Sequence, residues 1–174
     1  MAALYELHFW RALLFDEHAM IGVRTCATTV RAWLFFIAAV LLQVLPVSKE
    51  DLATFHIDAP TIAILYFGLI VVGAGLSWLL GARMPFYKFL YTSSTIMTFG
   101  GVVMAIITYL SILVFELGLN TAAVTNLVTS IIPFYYIVLF AYSMEVASHL
   151  EKQWKRIAVA LVSICAMYLA YFFI

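Results

Sequence analysis

The sequence predicts an all-α integral membrane protein: five transmembrane helices preceded by a short interfacial N-terminal helix, with the N-terminus cytoplasmic and the C-terminus outside. Composition is the first ground. Of 174 residues, 66% are hydrophobic and 10% charged, with a mean hydropathy of +1.09, whereas soluble domains are roughly 45–50% apolar and about 25% charged. Run length is the second, because five apolar stretches approach or exceed the roughly 20 residues that cross about 30 Å of hydrocarbon. The third is the distribution of Lys and Arg. Eight of the nine fall on one side of the layout those stretches define, as short cytoplasmic loops require.

The elements follow in chain order. Residues 1–29 form a lead-in too short to cross. Its Glu6, His8 and Arg11 do not gather on one face, while Tyr5 and Trp10 suit the headgroup level, so an interfacial helix or one packed on the bundle is expected. It has no basic start and no small-residue cleavage site, and a removable signal peptide is not expected. Span one, 30–47, contains AWLFFIAAVLLQVLPV and borrows a turn from CATTVR, with Arg31 snorkelling to the headgroups. SKEDLATFHIDAP, 48–60, is the longest outer connection.

Span two, 60–80, opens on Pro60, a residue suited to a first helical turn. The short GARMPF link then implies that spans two and three form an antiparallel hairpin. Span three, 88–115, is long enough to tilt or protrude. Span four, 121–146, carries Pro133 near its middle, and span five, 154–174, completes a single membrane domain over 1–174. No internal repeat suggests a duplicated transporter.

The cations test that count. Arg11, Arg24 and Arg31 precede span one, Arg83 and Lys88 lie between spans two and three, and Lys152, Lys155 and Arg156 lie between four and five. Only Lys49 falls opposite, beside Glu50 and Asp51. A wrong number of spans would mix these sets. The expected location is a bacterial-type inner (plasma) membrane, or an organelle membrane, with a multi-pass chain. Zero net charge and the lack of a basic run with interleaved aromatics exclude a nucleic-acid partner. Cys26 and Cys165 are distant in sequence and neither lies in a CxxC, so no disulfide framework is expected.

Three groups of residues could carry function. Gly68, Gly73, Gly75 and Ser77 in span two, and Gly100, Gly101 and Ala105 in span three, are small. Gly73 with Ser77, and Gly101 with Ala105, have the small-xxx-small spacing that lets helices approach in lipid. Packing of the two-three hairpin is the first reading of them and self-association the second. Thr125, Asn126, Thr129 and Ser130 make a polar stripe in span four, either helix-to-helix hydrogen bonding around Pro133 or a path for a small polar solute. Glu145 and His149, four apart, would share a helix face.

With Asp16 and His18 on the same side, Glu145 and His149 could hold a metal or move protons. The first reading of them is nevertheless structural, with Glu145 paired to the nearby Lys or Arg, and the metal or proton site is the second. No catalytic motif occurs, no facing histidines within spans suggest haem, and neither a catalytic residue nor a cofactor is expected.

In layout the whole chain resembles the Yip1 superfamily of five-span membrane proteins. Five spans, a cytoplasmic N-terminus, no large soluble domain and a short hydrophilic link before span five carry that resemblance, and FWRALLFDEHAMIGV occupies the place of the family's lead-in. Asp16 and Glu17 stand where that family has a proline-phenylalanine element, and YTSSTIMTFGG lacks its glycine, tyrosine and proline pattern. The resemblance implies a non-enzymatic protein that organises or recruits partners, and it transfers no functional residue. The leading expectation is therefore a scaffold or accessory subunit of a larger membrane complex, its partners the lipid bilayer and other membrane subunits or a second copy. A transporter or channel subunit lined by the span-four stripe is the alternative, followed by a metal- or proton-handling protein.

Overall fold

The computed structural model describes residues 25–43, 49–118 and 132–172 and the isolated positions 11, 16, 19, 22 and 23; side chains are described at those five positions and over 25–43, 60–114, 117–118 and 134–169. Five helices and no strand occur among the described residues: α1 (Thr29–Gln43), α2 (Lys49–Leu79), α3 (Phe86–Glu116), α4 (Ile132–Ala147) and α5 (Gln153–Phe172).

The helix ends follow from local chemistry. Thr28 caps α1, its Oγ1 accepting from the Arg31 amide at 3.3 Å, which satisfies an otherwise orphaned donor. α2 closes on Gly81, whose φ of 103° is open to a residue without Cβ. The Ala82 amide reaches back to the Ser77 carbonyl at 2.9 Å and the Gly81 amide to that of Trp78 at 3.0 Å, a Schellman ending. Trp78 Nε1 then donates to the Met84 carbonyl at 2.8 Å, folding the link back under α2.

Two boundaries differ from expectation. The outer connection at 48–60 is helical from Lys49 onward, so Pro60 sits inside α2 rather than at its start. Lys, Glu, Leu and Ala are strong helix formers, and a proline in a helix interior removes one hydrogen bond rather than forbidding the helix. The two-three hairpin is also not the main packing unit. α3 packs chiefly against α1 and α4, α2 chiefly against α5, and α2 touches α3 only lightly.

Paired positions give the helix directions. Phe35 lies by Tyr91 and Leu42 by Gly101, so α1 and α3 run in parallel. Ser143 meets Ser93 and Leu139 meets Gly100, so α4 opposes α3, and Lys155 at the start of α5 meets Leu80 at the end of α2. Successive helices alternate up and down. An aromatic cluster locks α1 onto its neighbours: Phe36 stacks on Tyr66 at 5.6 Å, Trp33 on Phe67 at 5.8 Å, and Phe35 meets Tyr91 edge-on. Such pairs add about 0.5–1.5 kcal/mol beyond burial. Ala19 and Val23 of the lead-in are buried in the same core.

Among the described residues two segments, and not the five expected, are long and apolar enough to cross a membrane, Pro60–Leu79 with mean hydropathy 2.2 and Phe86–Val114 with 2.1. α1 and the segment Phe134–Ala147 are apolar but shorter. At 1.5 Å per residue the 15 residues of α1 rise only about 22 Å. The expected first half of span four lies outside the described residues.

Candidate functional site

The N-terminal half of α3 is the interior of the bundle. From Phe89 to Thr98 every residue is buried, so all faces of the helix are covered there, as only a central helix allows. Half of that run is Ser or Thr, which must find partners away from water. Thr92 Oγ1 bonds the Lys88 carbonyl at 2.9 Å, and Ser93 and Ser143 meet at 3.3 Å. Thr98 shares its one hydroxyl proton between the Ser94 carbonyl at 2.8 Å and the Phe35 carbonyl at 2.9 Å, tying α3 to the α1 backbone.

Other donors stay unmatched. Among the described residues, Gln43 Nε2 and the hydroxyls of Tyr66, Ser94, Thr95, Tyr136 and Ser163 are buried without a hydrogen bond. The Tyr66 hydroxyl lies beside Ser93 and Ser94 yet closes no bond with either. Above this layer sits a cavity of about 460 Å³ with mostly apolar walls, among them Gln43, Tyr66, Met97, Gly101, Ala105 and Tyr136. No periodicity in the sequence marks Tyr66 and Tyr136 as neighbours, since they lie on different helices.

The small residues divide by direction. Gly73 faces inward, where an added Cβ would stand 3.0 Å from Phe89 Cζ, 3.2 Å from Met144 Sδ and 3.3 Å from Ser163 Oγ. Ser77 is fully buried and returns its hydroxyl to the Gly73 carbonyl at 2.7 Å. Gly101 receives Leu42 of α1, whose Cβ would stand 3.1 Å from a Cβ added to the glycine, and Ala105 is partly buried in the cavity wall. Gly68 and Gly75 meet nothing within 4 Å among the described residues. They look outward on a face shared with Ile64, Val71, Val72 and Leu79, all exposed.

The corner between α4 and α5 corrects one expectation. α4 ends at Ala147, and His149 has φ 52°, a left-handed conformation that a helix interior never uses. Glu145 and His149 therefore do not share a helix face. Ser148 turns back instead, its Oγ donating to the Glu145 carbonyl at 2.6 Å. Glu145 carries no ion pair among the described residues, so the structural pairing with Lys or Arg is not formed either. Asp16 is engaged locally, bridged to Arg11 and accepting from the Ala19 amide at 3.3 Å. His18 lies outside the described residues, and among those described no three His, Cys, Asp or Glu side chains converge.

Between the two helix ends lies a second cavity, of about 700 Å³, walled by the 80–83 link, by 149–152 and by Lys155. Lys155 Nζ donates to the Leu80 carbonyl, placing a cation on the negative end of the α2 dipole, and rests 5.8 Å from the Trp154 ring. The sequence signal was available: Gly81 marks a helix end whose carbonyls need donors, and 152–156 is the nearest cationic stretch of the same expected side. The span-four stripe, Thr125, Asn126, Thr129 and Ser130, lies outside the described residues. Comparison with protein-family models, with curated proteins and with solved structures returns no match.

Proposed function

We propose that the chain is a five-span protein of a bacterial-type inner membrane, cytoplasmic at its N-terminus. In this reading it works through contact, as a scaffold or accessory subunit of a larger membrane assembly and not by catalysis. Several features support the membrane layout. The helices alternate in direction, the links 80–83 and 149–152, which carry Arg83 and Lys152, meet at one end, and all five helices present exposed large apolar residues, from Val30 and Ile64 to Leu113, Phe134 and Leu169. Water would not tolerate so much apolar surface on a lone soluble chain. The resemblance to the Yip1 superfamily points the same way.

One observation carries the contact reading. Gly73, Gly100 and Gly101 are used up inside the bundle, whereas Gly68 and Gly75 leave open grooves on the outer face of α2. A glycine on a lipid-facing surface forgoes packing with lipid and admits a close second helix. The test is isolation of the full chain in mild detergent beside Gly68→Leu and Gly75→Leu, with complex size read by light scattering and subunits by mass spectrometry. The reading expects a complex of defined stoichiometry with wild type that the leucine variants lose while staying folded. A folded wild-type chain that migrates alone would overturn it.

A further inference from the structure

The cavity at the α2–α3 and α4–α5 links contains more positive charge than its own acids answer. Arg83, Lys152 and Lys155 line it together with His149, and among the described residues Glu151 is the single carboxylate on its wall. Arg83 and Lys152 are exposed and have no ion-pair partner among the described residues. Lys155 is held in place by the Leu80 carbonyl and keeps further donors, since an ammonium has three. Three permanent cations thus converge on a concave space large enough for a phosphodiester headgroup.

The surroundings are those of a lipid. Trp78 and Leu79 precede the 80–83 wall, and Trp154, Ile157 and Leu161 flank Lys155; all are exposed, Leu79 at 85%. Tryptophan favours the headgroup level, and basic pockets between helices at a membrane's cytoplasmic side suit anionic headgroups. A soluble anion would use the charges and leave the adjoining apolar surface without purpose.

We infer that this cleft is a binding site for an anionic phospholipid of the inner leaflet. Arg83 and Lys152 grip its phosphate, Lys155 supports them from the α2 terminus, and its acyl chains run down the outer faces of α2 and α5. An arginine fork matches two phosphate oxygens at once, and Lys152 adds a mobile point charge from the opposite link. The inference rests on the membrane-spanning reading above. It goes beyond that reading because it names a ligand and the residues that hold it.

The experiment uses the full chain in detergent, titrated with phosphatidylglycerol or phosphatidylcholine and read by native mass spectrometry. Wild type should take up phosphatidylglycerol in preference. Arg83→Gln and Lys152→Gln should each weaken that uptake about fivefold, while Lys88→Gln, an exposed cation outside the cleft, leaves it unchanged. Equal uptake of both lipids, or an equal loss in Lys88→Gln, would overturn the site. So would displacement of the lipid by matched concentrations of inorganic phosphate or of an oligoglutamate peptide, which would reassign the cleft to a soluble anion or an acidic partner segment. Alkaline extraction of membranes holding the wild-type chain keeps the two ideas apart: release into the supernatant defeats the membrane reading itself, and retention without lipid preference defeats the site alone.

Discussion

Leu139 of α4 packs directly against the bare backbone of Gly100 in α3, and a Cβ on that glycine would overlap the leucine's Cδ2. Leu139 is fully buried, so making room for that Cβ means repacking the core around the leucine. Gly100→Ala should therefore destabilise the bundle by about 1–3 kcal/mol, the usual range for overpacking a close-packed core. Thermal unfolding in detergent checks this, and the loss in Gly100→Ala with Leu139→Ala should be smaller than the sum of the two single losses, because the second change removes the obstructing methyl. A single variant as stable as wild type would mean that α3 and α4 do not meet there.

Gly68 and Gly75 give the opposite expectation. With nothing among the described residues within 4 Å of an added Cβ, Gly68→Ala and Gly75→Ala should leave the isolated chain as stable or firmer by up to about 1 kcal/mol, the helix-propensity gain of alanine over glycine. Unfolding and oligomer size measured on the same samples separate the two effects. A drop in thermal midpoint without any change in size would show that this face is packed within the chain.

Much of this arrangement was legible in advance, and the exceptions have physical causes. The ends of α2 and α3 were readable because Gly81 and Pro85 punctuate an otherwise apolar sequence. The helical state of 49–59 was not, because charged residues and Pro60 read as a connection although most of them also propagate a helix. Which helices touch was hidden as well. Gly73 and Gly101 were recognisable as contact residues from spacing alone, but spacing does not name the partner. Gly101 receives Leu42 of α1, where the short GARMPF link had suggested α2. The corner at His149 misled for a third reason. The i, i+4 rule assumes an unbroken helix, and SMEVASHLE has no glycine or proline to show that α4 stops at Ala147.

Lys155 tests the end of the bundle where α2 closes and α5 begins. Its ammonium caps the Leu80 carbonyl at the terminus of α2, so Lys155→Met should remove a cation from a helix C-terminus and leave that carbonyl to water. The expected loss is about 0.5–2 kcal/mol, the partly buried range for such charges. Lys155→Arg should retain most of the stability, since a guanidinium can reach the same oxygen. Thermal midpoints of the three proteins decide it. Equal midpoints for Met and wild type would show that the α2–α5 contact depends on apolar packing alone.

His149 tests the α4–α5 corner. At φ 52° it occupies a conformation that glycine and asparagine adopt readily and β-branched residues resist. His149→Gly and His149→Asn should keep the corner intact, whereas His149→Val should lower stability by about 1–2 kcal/mol through Cβ crowding. The same proteins bear on metal chemistry: analysis of metal content should give the same result for His149→Asn as for wild type, because the turn separates His149 from Glu145. A stoichiometric metal in wild type that the asparagine variant loses would overturn this reading. It would require the corner to rearrange so that imidazole and carboxylate converge.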